Sequence, residues 1–130
     1  MINYFILAFL MLCSLNSKNV NAQYVGHFSL RDQIKHDTLV DKATSLKYII
    51  DKKRIRISAV DKVGKVLWIT DPAVDNKLEE YRVKRPTIVY FNFGGDRTKA
   101  NREVIWITYI NTQFGYLDKK TGKFTWLGQD

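Results

Sequence analysis

Cysteine is almost absent from this 130-residue chain: the single copy, Cys13, follows an apolar N-terminal run. A disulfide framework is excluded, and so is a thiolate metal centre, so the chain must be stabilised by its own core. Histidine occurs twice, as His27 and His36. Two imidazoles without a second nearby pair do not make a zinc site, which would need carboxylates from elsewhere. Proline also occurs twice, as Pro72 and Pro86, and the two bracket the longest stretch without strand signals. No run of six like charges occurs. The apolar run 4–12 is far shorter than the roughly 20 residues that a spanning helix needs.

That run gives way to the polar residues 16–19 and then to Val20, Asn21 and Ala22, small or modest side chains where a signal peptidase would cut before Gln23. Residues 1–22 are therefore expected to be a signal peptide and residues 23–130 a single β-sheet domain. The product would be periplasmic or secreted, with no stable membrane span after cleavage. The positive end of this leader is the amino terminus alone, and Leu12 before Cys13 is too large for a lipoprotein site. Removal of Lys18 leaves 20 Lys and Arg, one fewer than the 21 of the whole chain, against 13 Asp and Glu, a formal charge of +7. Outside the cytosol this balance argues against nucleic acid as partner. Anionic lipid, acidic polysaccharide or an acidic protein fits it, as do cations that only solvate outer strand faces and blunt sheet edges.

Two stretches of like grammar, 59–68 and 116–126, organise the rest. Each has β-branched or aromatic residues leading into an Asp, then a turn containing Gly-Lys, then a Trp. Asp can accept hydrogen bonds from later backbone amides of the turn, and Gly tolerates positive φ, so each stretch is expected to be a β-hairpin. A four-residue loop at 61–64 sets Val60 opposite Lys65 and Ile57 opposite Trp68. Ile55, Ile57, Ala59, Val66, Trp68 and Thr70 then share a buried face. A five-residue loop at 118–122 sets Tyr116 opposite Phe124 and Phe114 opposite Trp126, burying the second Trp as well. Further strands are expected at 27–30, 46–50, 87–93 and 103–110, with 87–93 central in its sheet because nearly all its positions are apolar. Residues 94–102 read as a mobile basic connection. The expected fold is all-β, two antiparallel meanders packed as one small domain with little helix.

The two endings resemble the repeat of quinoprotein-type β-propellers, whose blades close on Ala-x-Asp-x-x-Thr-Gly-x-x-x-Trp. Ala59, Asp61, Gly64, Lys65 and Trp68 match with one residue missing; Asp118, Thr121, Gly122, Lys123 and Trp126 match with Tyr116 in place of Ala. The resemblance implies a structural role for these positions, with Trp packed between neighbouring blades, and no quinone chemistry. A closed propeller needs at least four blades of about 40 residues, more than this chain holds. In general character the chain also resembles short exported bacterial proteins.

No arrangement points to a catalytic residue, a metal site or a cofactor. Asp71, Asp75 and Asn76 lack the alternating ligand spacing of a calcium loop. Ser29, His27 and Asp32 lack the strained elbow of a nucleophile, and Gly94-Gly95 lacks the rest of a phosphate loop. The connection 71–86 is the distinctive stretch. Asp71 can cap a short helix that starts at Pro72, and the stretch ends in Tyr81, Arg82, Lys84 and Arg85, an aromatic with three cations. Tyr81 beside Arg82 can grip a planar or sugar ligand while the cations meet its negative charge. The expectation is a non-enzymatic binding or interaction module for an anionic glycan, envelope component or protein, with ligand-binding residues Tyr81, Arg82, Lys84 and Arg85. The alternative is a small extracytoplasmic hydrolase acting on cell-wall or extracellular polymer through carboxylates such as Glu79, Glu80 and Glu103.

Overall fold

Alternation of apolar and polar residues, broken by Asp- and Gly-led turns, gives two four-stranded antiparallel meanders in a computed structural model that describes residues 37–130. The expected signal peptide and the strand at 27–30 lie outside the described residues. The first sheet contains β1 (Thr38–Val40), β2 (Lys47–Ile50), β3 (Ile57–Val60) and β4 (Val66–Thr70), in that order. One helical turn, α1 (Pro72–Asp75), follows. The second sheet contains β5 (Ile88–Gly95), β6 (Glu103–Tyr109), β7 (Phe114–Leu117) and β8 (Phe124–Gly128). Among the described residues the fold is all-β as expected, and its two sheets close neither a barrel nor a propeller. Among the described residues no helix is long and apolar enough to cross a membrane.

Both hairpins form where expected, and both registers differ from the expected ones for the same reason: the leading Asp belongs to the ladder and not to the loop. Asp61 N–H donates to Lys65 O at 2.9 Å, while its carboxylate accepts from the backbone amides of Val63 and Lys65. Ile57 therefore faces Thr70 and Ala59 faces Trp68, two residues from the expected pairing. A shift of two preserves the side of every residue, so Ile57, Ala59, Trp68 and Thr70 still share a face. An irregularity between Ala59 and Val60 sets Val66 opposite Val60 and leaves it 50% exposed, not buried.

In the second hairpin Asp118 N–H donates to Lys123 O at 2.9 Å, and Leu117 pairs with Phe124. This is a slip of one residue, which exchanges faces. Leu117 and Phe124 enter the core, and Tyr116 turns to the other side against Trp106, ring centroids 5.7 Å apart. Trp126 pairs with Gly115 and is 48% exposed, so the expectation that it is buried opposite Phe114 is wrong. The strand expected in the centre of its sheet, β5, is an edge; β6 and β7 are central. Near-continuous apolarity in β5 reflects a core face of Ile88 and Phe91 and partial cover of Val89, Tyr90 and Phe93, not two neighbouring strands. The connection after it is tied down: Asp96 N–H donates to Arg102 O at 2.8 Å, and the Arg97 guanidinium lies 4.9 Å from the Trp106 ring.

The two sheets share one core, in which Tyr48, Ile50, Ile57 and Ala59 of the first pack with Ile105, Ile107, Leu117 and Phe124 of the second. Trp68 and Tyr48 reach across to one backbone carbonyl, Lys119 O, at 3.1 and 3.4 Å. Gly122, at φ +72°, lies so close to the Trp68 ring that a Cβ there would meet Cε3 at 2.6 Å. Lys119 Nζ pairs with Asp41 of the first sheet's β1–β2 turn at 2.6 Å and with Glu103 at 2.7 Å. The turn 118–122 is thus the second sheet's seat for the first.

Candidate functional site

The connection 71–86 is anchored at its start by α1. Asp71, buried, accepts from Val74 N–H at 3.2 Å, and Pro72 supplies a preset φ at the first helical position. Asp75 folds back to accept from Thr70 Oγ1 at 3.0 Å and Asp71 N–H at 2.9 Å, fixing the exit from β4. Asn76 Nδ2 closes the turn on Pro72 O at 2.7 Å. The connection, expected as a loop with at most two helical turns, contains one, held by side chains at both ends.

The four residues picked from the sequence have different neighbours. Arg85 Nη2 pairs with Asp71 Oδ2 at 2.6 Å, so its charge is answered inside the connection. Tyr81 donates its hydroxyl hydrogen to Asp130 O at 2.9 Å, and Arg82, with φ +58°, stacks over the Tyr81 ring at 4.8 Å. Lys84 is exposed. Tyr81 and Arg82 form one unit; Lys84 and Arg85 belong to a neighbouring cavity of about 190 Å³ lined also by Lys77, Glu79, Glu80 and Gln113. A second, wider groove of about 400 Å³ shares Lys77, Leu78, Glu79 and Gln113 with it and is walled by Trp126.

Residues that sequence reading missed hold this region in place. Asn111, 1% exposed, donates to Tyr81 O at 3.0 Å and to Gln113 Oε1 at 2.9 Å, and Gln113 Nε2 donates to Glu79 O at 3.2 Å. Two buried amides in the β6–β7 turn thereby satisfy their own donors on the connection's backbone, as buried polar side chains require. The available signal was Asn111 and Gln113 flanking Thr112, polar residues in an otherwise apolar hairpin. Tyr109, 1% exposed, is close to Asp71, Ala73 and Arg85, and its hydroxyl makes no hydrogen bond of good geometry among the described residues, the Ala73 backbone being the near neighbour. Burial, and secondly the negative charge of Asp71, push its pKa up, so the hydroxyl keeps its proton.

Chemically, the site offers cations on a fixed backbone, an aromatic–guanidinium stack, and an adjoining cavity with both signs of charge. Among the described residues no group of three His, Cys, Asp or Glu is placed to hold a metal ion. No protein-family model, curated protein or solved structure matches the chain.

Proposed function

We propose that this is an exported, non-enzymatic binding module whose connection 71–86 holds an anionic partner of the cell envelope or its surroundings, a glycan or an acidic protein segment. The observation that carries the reading is the fixed presentation of Arg82 and Lys84. The backbone before them is tied to Asn111 and Gln113, and Arg85 after them pairs with Asp71, so the two cations need little ordering when a ligand arrives, which is where binding energy is otherwise lost. Arg82 stacked on Tyr81 offers a flat surface to a sugar ring, with a charge at its rim for a carboxylate or sulfate. On this reading Arg85 has a second task beside the expected one. Paired with Asp71, it secures the connection, while Lys77 and Lys84 supply charge to the cavity. The blade-like reading of the two sheets gives the paired hairpins a structural task, supported by Trp68 seated on Gly122.

The test is retention of the purified protein on a resin carrying a polyuronic acid. The parent is expected to elute at distinctly higher salt than Arg82→Glu/Lys84→Glu, with retention falling steeply as salt rises, because exposed charges are screened within about 8 Å at physiological ionic strength. Arg85 stays in the variant, since its loss would leave Asp71 unpaired. Equal elution of parent and variant removes this connection as the site.

A further inference from the structure

The outward face of the first sheet is a second surface, separate from the connection 71–86. Register places Val40, Lys47, Val60 and Val66 in one cross-strand row and Thr38, Ile49, Ser58 and Ile69 in the next. Strand residues usually alternate so that the solvent side is polar; here that side is mainly aliphatic. Ile69 is 60% exposed, Val40 and Val66 50% each, and Leu67 48%. At the hairpin tip Val63 is 79% exposed. Contiguous exposed apolar surface rimmed by polar residues marks an interaction site.

The charge at its hairpin end has one sign. Lys47 lies in the first row, and Lys62 and Lys65 flank Val63 and Val66, all exposed; Arg56 lies at the other end of β3, where its backbone meets Asp51. Neither row contains an acid, and the nearest carboxylate in the hairpin, Asp61, is occupied by the Val63 and Lys65 amides. Such a face would not suit a second copy of itself in a two-fold contact, which would bring the Lys47 rows together. It does suit a layer that is apolar below and negatively charged at its surface.

We propose that the outward face of the first sheet docks on an anionic lipid surface, with Val63, Val66, Leu67 and Ile69 entering the headgroup boundary and Lys47, Lys62 and Lys65 meeting lipid phosphates. Apolar contact and attraction to anionic headgroups reinforce each other at such a surface. Each cation is worth about fivefold in partitioning.

The experiment uses protein purified from expressing cells, its N-terminus fixed by intact mass, with vesicles of phosphatidylcholine alone or with about a third phosphatidylglycerol. Co-sedimentation should need phosphatidylglycerol. It should fall at least about tenfold in Leu67→Ser/Ile69→Ser and about fivefold in Lys47→Gln. Amine acylation read by mass spectrometry locates the contact independently of the N-terminal run, and of any folding defect in a variant. In the parent, vesicles should protect Lys47, Lys62 and Lys65 and leave Lys99 and Lys123 reactive. Uniform protection, or none at the first three, overturns the proposal. So does self-association without vesicles that Ile69→Ser abolishes, which would make a second copy the occupant. Polyglutamate giving the same protection as vesicles would assign the face to an acidic protein and overturns it as well.

Discussion

Replacing Gly122 by Ala tests how the two sheets are joined, and Gly64→Ala supplies its control. Both glycines sit at positive φ in equivalent turns, +72° and +87°, so both substitutions carry the same backbone cost, about 1–2 kcal/mol for an L-residue in that region. Their surroundings differ. A Cβ at Gly64 meets nothing within 4 Å, whereas one at Gly122 meets the Trp68 ring at 2.6 Å. Trp68 cannot simply slide away, because its indole N–H is bonded to Lys119 O at 3.1 Å and its ring lies 5.9 Å from that of Tyr48. Crowding of this kind typically adds about 1–3 kcal/mol. Gly122→Ala should therefore cost about 2–5 kcal/mol in all, a large share of the roughly 5–15 kcal/mol that holds a domain folded. Urea titrations followed by tryptophan fluorescence and circular dichroism measure both variants, and each kcal/mol should also move the thermal midpoint by about 4–8 °C. In a Trp68→Ala background the crowding has no target, so Gly122→Ala should there cost no more than Gly64→Ala does in the parent. Equal destabilisation by the two glycine substitutions in the parent would refute the inter-sheet contact.

The two tryptophans should separate in the same assay: Trp68→Ala costs about 3–5 kcal/mol, whereas half-exposed Trp126→Ala costs about 1 kcal/mol or less. Tyr109→Phe should be neutral or stabilising in urea titration, because it deletes a buried hydroxyl that makes no hydrogen bond of good geometry among the described residues; a loss above about 1 kcal/mol would mean that the hydroxyl is bonded. Acid should loosen the second sheet. The Thr98 backbone amide, joined by the Thr98 hydroxyl and Arg102, holds the Asp96 carboxyl down to about 2. Burial raises Asp118, but the Thr121 and Lys120 amides and Arg102 outweigh it and leave its pKa lowered. A folded-state pKa below the unfolded value, about 3.9, adds stability that is complete above that value and is lost as pH falls towards about 2. Thermal melts should therefore decline between about pH 5 and pH 2, and the decline should be shallower in Asp96→Asn; a parent whose midpoint is flat across that range contradicts the ionic account.

Seven of the eight described strands were legible because apolar alternation and Asp-Gly turn chemistry are local; β1, Thr38–Val40, was not, since three residues in a polar stretch carry no alternation. Nor was register, since an Asp can stand inside the ladder or inside the loop with the same sequence, and a one-residue difference decides whether Tyr116 or Leu117 shares the core side with Phe124. The two Gly-x-x-x-Trp endings look alike, yet the irregularity after Ala59 lets Trp68 pair with Ala59 and face the other sheet, while Trp126 opposes Gly115. The edge position of β5 was hidden for a related reason: apolar content reports burial and not which neighbour supplies it. In the candidate site the cations and the cap at Asp71 were readable. The pairing of Arg85 with Asp71, and the anchoring by Asn111 and Gln113 from about 30 residues away, depend on how the second sheet folds beneath the connection.

The most direct measurement of the functional claim is a backbone amide NMR titration of the isotope-labelled protein with a short oligomer of uronic acid. Shifts should concentrate at Arg82, Lys84 and the adjoining Lys77, Leu78 and Glu79, and vanish in Arg82→Glu/Lys84→Glu. Shifts centred away from the connection, or none at saturating oligomer, would contradict a binding site there.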